Sequence, residues 1–195
     1  MKSQQLFYQF AFKPWAGHLK PTATGKKLIA AVMIAFVFAS CDSGSDSKSS
    51  SPAAGTADIT LTTTTGETFK LNGPCGWAYA GGVGYVGANQ TGDPLKTFSV
   101  DTNLTSLPTA TTTYTITNDV LDESPTKITM HFVKMNTSGS YTSFDGYIGS
   151  GNLTLAVDGN KVTANLAGIT LKADSANAAP YNHDGALSGT LTFYK

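Results

Sequence analysis

Arginine is absent from all 195 residues, so the chain can make none of the planar, bidentate guanidinium contacts on which much phosphate recognition rests. Cysteine is nearly absent too, with Cys41 and Cys75 the only two. No acidic residue precedes Cys41, whereas five of the thirteen lysines do. The formal charge of zero therefore hides a divided chain. From Cys41 onward eight lysines face thirteen acids, a formal −5. A mildly acidic segment without guanidinium groups is poorly suited to nucleic acid, phosphate-rich ligands or anionic lipid head groups. Long apolar runs are also missing: Leu28–Phe38 is about half the ~20 residues of a membrane-spanning helix. No stretch after it shows helical periodicity, which excludes a helical bundle.

What is present is a graded signal around that short run. Lys26 and Lys27 precede it, and Ala39-Ser40 follows it directly before Cys41. Basic residues, a short apolar core and a small pair make a cleaved export signal. Over Lys26–Cys41 this order resembles the signal sequence and lipobox of bacterial lipoproteins. Ala39, Ser40 and Cys41 fit the family's pattern, while Phe38 stands where the family prefers Leu. The resemblance implies a diacylglyceryl thioether on Cys41, cleavage before it, and a further acyl group such as palmitate on the new amino terminus. One acyl chain anchors marginally at ~0.8 kcal/mol per buried CH₂, so two or three make attachment long-lived. The expected location is the cell envelope, lipid-anchored at the outer membrane or surface of a Gram-negative bacterium. The alternative is an ordinary secretory signal that happens to be followed by Cys.

Three segments follow. Residues 1–40 are an N-terminal extension and signal peptide, removed on maturation; a start at Leu19 would give a more compact basic leader. Residues 41–56 are the lipidated Cys and a tether, because Asp42–Gly55, DSGSDSKSSSPAAG, cannot bury enough apolar surface to offset its ordering entropy. Residues 57–195 form one all-β domain.

In that domain apolar residues alternate with Thr or Ser. Asp58–Thr62 and Thr68–Leu71 flank Gly66-Glu67 as a first hairpin. Leu95–Asp101, Thr113–Thr117 and Lys127–Lys134 read as strands, the last with Ile128, Met130 and Phe132 on one face and Thr129, His131 and Val133 on the other. Asp158-Gly159-Asn160 joins Asn152–Val157 to Lys161–Leu166, since Asp-Gly accepts the positive φ a tight hairpin needs. Val162, Ala164 and Leu166 share one parity and Ile169 and Leu171 the other, which predicts a bulge at Ala167-Gly168. Leu187, Gly189, Leu191 and Phe193 mark a last strand. Eight to ten short strands suggest a single antiparallel β-sandwich or barrel. With Cys41 lipidated, Cys75 has no intrachain partner.

The most unusual stretch is Gly73–Asn89, GPCGWAYAGGVGYVGAN. Trp77, Tyr79, Val83 and Tyr85 share a parity, as on one face of a strand. Trp77, Tyr79 and Tyr85 are thus candidate ligand-binding residues, able to stack on a sugar ring or another flat apolar surface. The alternative is that these rings fill the core. The glycines lack the strand-to-helix context of a nucleotide loop, and no cofactor is implied.

Catalytic signals are thin. Cys75 with His131 or His183 could pair as nucleophile and base, or Asp145 with Asp184 as carboxylates for glycoside cleavage. Asp119, Asp122 and Glu123 lack the spacing of a known calcium loop and suit a solvated turn before Pro125. Asp174-Ser175-Ala176 resembles an O-glycosylation signal of some Gram-negative surface proteins. The expectation is a non-enzymatic envelope protein that binds a glycan, small ligand or protein partner. The alternatives are a secreted or envelope hydrolase, or a structural surface-layer protein without a ligand pocket.

Overall fold

The computed structural model describes residues 55–80, 83–119 and 124–195; Cys41, the signal segment, most of the tether, Asp122 and Glu123 lie outside them. Every regular element among these residues is a strand. In chain order they are β1 (Gly55–Thr63), β2 (Thr68–Ala80), β3 (Val83–Gln90), β4 (Leu95–Thr102), β5 (Thr112–Ile116), β6 (Lys127–Met135), β7 (Tyr141–Asp145), β8 (Asn152–Asp158), β9 (Lys161–Asn165), β10 (Thr170–Ala173) and β11 (Gly185–Tyr194). Nine of them close into a barrel in the order β1-β2-β3-β4-β6-β5-β8-β9-β11, with β11 returning to β1. The remaining two, β7 and β10, span from β6 to β11 at the other end of the wall. β6 and β11 therefore each divide one edge between two neighbours.

The all-β expectation holds, and of the two architectures named it is the barrel that forms. Two details differ. There are eleven strands instead of eight to ten, because Tyr141–Asp145 is a strand that its short, Ser- and Thr-rich sequence concealed and the Ala167-Gly168 irregularity splits one strand into two. The sheet is mixed instead of purely antiparallel, because Thr115 and Ile116 of β5 lie parallel to Lys127 and Ile128 of β6.

Alternation builds the core. Along β1 every second residue is buried and most of those between face solvent, and β8 buries Leu153 and Leu155 in the same alternation. Ile59 and Leu61 of β1, Leu71 of β2, Phe98 and Val100 of β4, Met130 and Phe132 of β6 and Phe193 of β11 are fully enclosed. Phe69 packs edge-on against Phe144 at 5.4 Å and Phe132 at 6.2 Å, and Phe98 meets Phe132 at 6.4 Å. Such tilted ring pairs add about 0.5–1.5 kcal/mol each beyond area burial. These rings fill the barrel, as expected of one with few strands.

The turns follow their sequences. Gly159, at φ 58°, closes the β8–β9 hairpin. Between the pairs Asn165↔Thr190 and Thr170↔Ala186 the chain takes five steps against four on β11, the one extra residue of the expected bulge. Gly168 there has φ 86°, and the step turns Val162, Ala164, Leu166, Ile169 and Leu171 all inward. At one rim Tyr181 stacks against Phe69 at 5.1 Å, and the Lys134 ammonium lies 5.0 Å and 5.5 Å from the two ring centres. Beside it the Asn177 amide accepts from the Ser143 N–H and donates to the Ser143 carbonyl, standing in for a neighbouring strand on β7.

Candidate functional site

Among the described residues, three ionisable groups meet on the outer wall, where β4, β6 and β7 run side by side. Because Ile128, Met130 and Phe132 point inward, His131 points outward. Antiparallel pairing sets Ser99 opposite it on β4 and Asp145 opposite it on β7. Asp101, two residues along β4, shares that face. The imidazole lies between two carboxylates: Nδ1 is 2.6 Å from Asp145 Oδ1 and Nε2 is 3.5 Å from Asp101 Oδ2. Although on the outer wall, His131 is only 8% exposed, and β3, β4 and β6 bury residues on both faces.

Burial by itself would lower the basicity of this imidazole. Hydrogen bonds to Asp101 and Asp145, together with their charges, outweigh it and raise His131 from 6.5 to about 9. At neutral pH the ring is an imidazolium with a carboxylate at each nitrogen. It cannot take a proton from a nucleophile in that state. Ser99, directly across the ladder, therefore faces a charged ring already engaged on both sides. The cluster joins three strands through charge-assisted contacts. Asp101 Oδ1 is buried without a hydrogen-bond partner. Tyr85 of β3 sits opposite Asp101, and burial followed by the Asp101 charge raises its phenol above the ordinary value.

The aromatic trio from Gly73–Asn89 does not share a face. β2 and β3 pair as Trp77↔Val86, Ala78↔Tyr85 and Tyr79↔Gly84, so odd residues of β2 lie over even residues of β3. The reversal between Ala80 and Val83 thus turns Tyr85 to the outer wall, while Trp77 and Tyr79 keep the parity of the barrel interior. The expectation of one face treated as a single strand what is a hairpin. Trp77 is half-buried against the core, and Gly84 leaves room for its ring, since a Cβ there would collide with the Trp77 Cη2. Tyr79, beyond the core, is 49% exposed.

The other candidates are apart. Cys75 points into the core, where burial, only partly offset by a backbone hydrogen bond from Gly76, pushes its thiol up to about 12. It neither faces the outward His131 nor the exposed His183. Asp145 is engaged with His131, whereas Asp184 accepts the Ala173 N–H. Asp119 is exposed, its intended partners lying outside the described residues. Asp174 caps its own turn by accepting the Ala176 N–H, leaving Ser175 exposed. Among the described residues no three His, Cys, Asp or Glu side chains are grouped to hold a metal ion.

Sequence reasoning missed the Asp101–His131–Asp145 cluster. The available signal was weak: each residue sits at an outward position of its strand, but only the pairing of β4, β6 and β7 brings them together. No protein family, curated protein or solved structure matches the chain.

Proposed function

We propose that the chain is a lipid-anchored cell-envelope protein whose barrel is a non-catalytic binding domain. The lipid sits on Cys41, the Ser-rich residues after it are the tether, and the outer membrane or cell surface is the site of residence. The binding reading rests on the exposed Tyr79, because the interior is filled. Tyr114, Phe98, Phe132, Phe144 and Phe193 occupy the space a ligand would need, so a partner meets a rim or the outer wall. Tyr79 with Trp77 beneath it offers flat apolar surface at a rim, and Tyr85 lies round the corner on the wall. Rings of this kind hold apolar faces at low entropic cost.

The non-catalytic reading is supported by the state of the two strongest nucleophile and base candidates. His131 is charged and engaged at both nitrogens, and Cys75 is a buried thiol held far from its thiolate form. The test is intact-mass analysis of the protein purified from its own membranes, beside a Cys41→Ala variant. The wild type should begin at Cys41 with added acyl mass, and the variant should become soluble or stay uncleaved. An unmodified Cys41 in membrane-derived protein refutes the proposal.

A further inference from the structure

The β2–β3 hairpin stands at the end of the barrel where the tether arrives. Gly55, the first described residue, pairs with Cys75, and β2 runs on for five more residues to Ala80. At ~3.3 Å per residue this carries the hairpin roughly 16 Å along the strand past the junction. Fourteen residues, Asp42–Gly55, connect that junction to Cys41. A Gly/Ser-rich chain of that length averages roughly 20 Å from end to end and cannot exceed ~50 Å. The hairpin's reach and the mean span of such a tether are therefore alike.

The chemistry of the hairpin suits an interfacial layer. From Leu71 to Gly92 the sequence carries no charged residue. Tyr79 is half exposed near the end of β2, level with Gly84 of β3 and Thr102 of β4, with Trp77 and Val83 partly buried beside it. Trp and Tyr favour the boundary between head groups and acyl chains, where an apolar ring and a polar edge are both satisfied. The other exposed aromatic among the described residues, Tyr141, starts β7 at the opposite rim, paired with Met135.

We infer that the tether-side rim rests on the lipid bilayer that anchors the chain, with Tyr79 leading and Trp77 behind it at the head-group boundary. This rests on the lipid-anchor reading and names the partner of its aromatic rim. The hairpin's own contact is apolar and so insensitive to salt, while the exposed Lys161 and Lys195 share the rim beside it. It fixes which end of the barrel faces outward: the Tyr181–Lys134 rim points away from the membrane.

The experiment uses protein purified from its own membranes and reconstituted into phosphatidylethanolamine–phosphatidylglycerol vesicles with brominated acyl chains. Bromine quenches tryptophan emission on contact, and Trp77 is the sole tryptophan after Cys41. Three proteins are compared: wild type, Tyr79→Trp with Trp77→Phe, and Tyr141→Trp with Trp77→Phe. The inference expects blue-shifted, quenched emission from the Tyr79→Trp protein, weaker quenching of Trp77 in wild type, none from Tyr141→Trp, and no change with added salt. Equal quenching at both rims, or none at Tyr79, overturns it. So does a Tyr79→Trp response to soluble oligosaccharide but not to vesicles. Mass analysis of the same sample keeps the two readings apart. Acylated Cys41 without quenching defeats the membrane contact alone, whereas unacylated Cys41 removes the anchoring on which it rests.

Discussion

Alkaline pH should weaken the barrel through His131. The folded protein holds the imidazole proton up to about 9, against 6.5 for an unperturbed ring. Between those values the folded state keeps a proton that the unfolded chain has released, so stability falls as pH rises. The contribution is complete below 6.5 and lost as pH climbs through about 9. At about 1.4 kcal/mol for each tenfold change in proton affinity, the displacement corresponds to roughly 3 kcal/mol. Urea unfolding of wild type and His131→Asn across this range isolates the effect. At the acid end the variant should be less stable by about 3 kcal/mol, since two partly buried carboxylates have lost their partner. That gap should narrow as the wild-type ring deprotonates. Proton NMR of the imidazoles offers a direct check, with one ring titrating well above the ordinary range. A gap that stays constant across the whole window, or no imidazole titrating above 6.5, would refute the reasoning.

Three further outcomes are expected. Cys75 should resist iodoacetamide in the folded protein at neutral pH and react promptly in urea, because burial holds its thiol at about 12; rapid labelling without denaturant would contradict the placement. Phe132→Ala, which removes the ring between Phe69 and Phe98, should cost about 3–5 kcal/mol in chemical denaturation; a cost under about 1 kcal/mol would mean that the interior is not packed as described. Gly84→Ala should displace the Trp77 ring and shift tryptophan emission to the red, and an unchanged spectrum would show that the ring does not lie over Gly84.

Much of the architecture could be read from local pattern. Asp158-Gly159-Asn160 announced its hairpin because an Asp-Gly pair serves one backbone geometry well, and the parity change between Leu166 and Ile169 announced a one-residue bulge. Both signals are contained in neighbouring residues. What escaped depended on pairing between distant strands. The parallel contact of β5 with β6 leaves no trace in either sequence, since Thr115 and Lys127 alternate in the same way whichever direction the neighbour runs. Parity alone puts Tyr85 on the face of Trp77, because parity within one strand does not reveal where a chain reverses. The His131 cluster was hidden for the same reason: Asp101 and Asp145 are thirty and fourteen residues away, and nothing local draws them to that ring.

The last strand sets the order in which the molecule can be completed. β11 is bonded to β1 on one edge and to β9 and β10 on the other, so the first strand of the barrel finds its second neighbour only after every other barrel strand has been made. Contacts of such long sequence separation make folding slow. A polypeptide delivered amino terminus first would wait with two unpaired edges until Gly185–Tyr194 arrive, and open edges invite pairing with other chains. Loss of those residues would then be felt less as a weakened wall than as a protein that never closes and joins its neighbours instead.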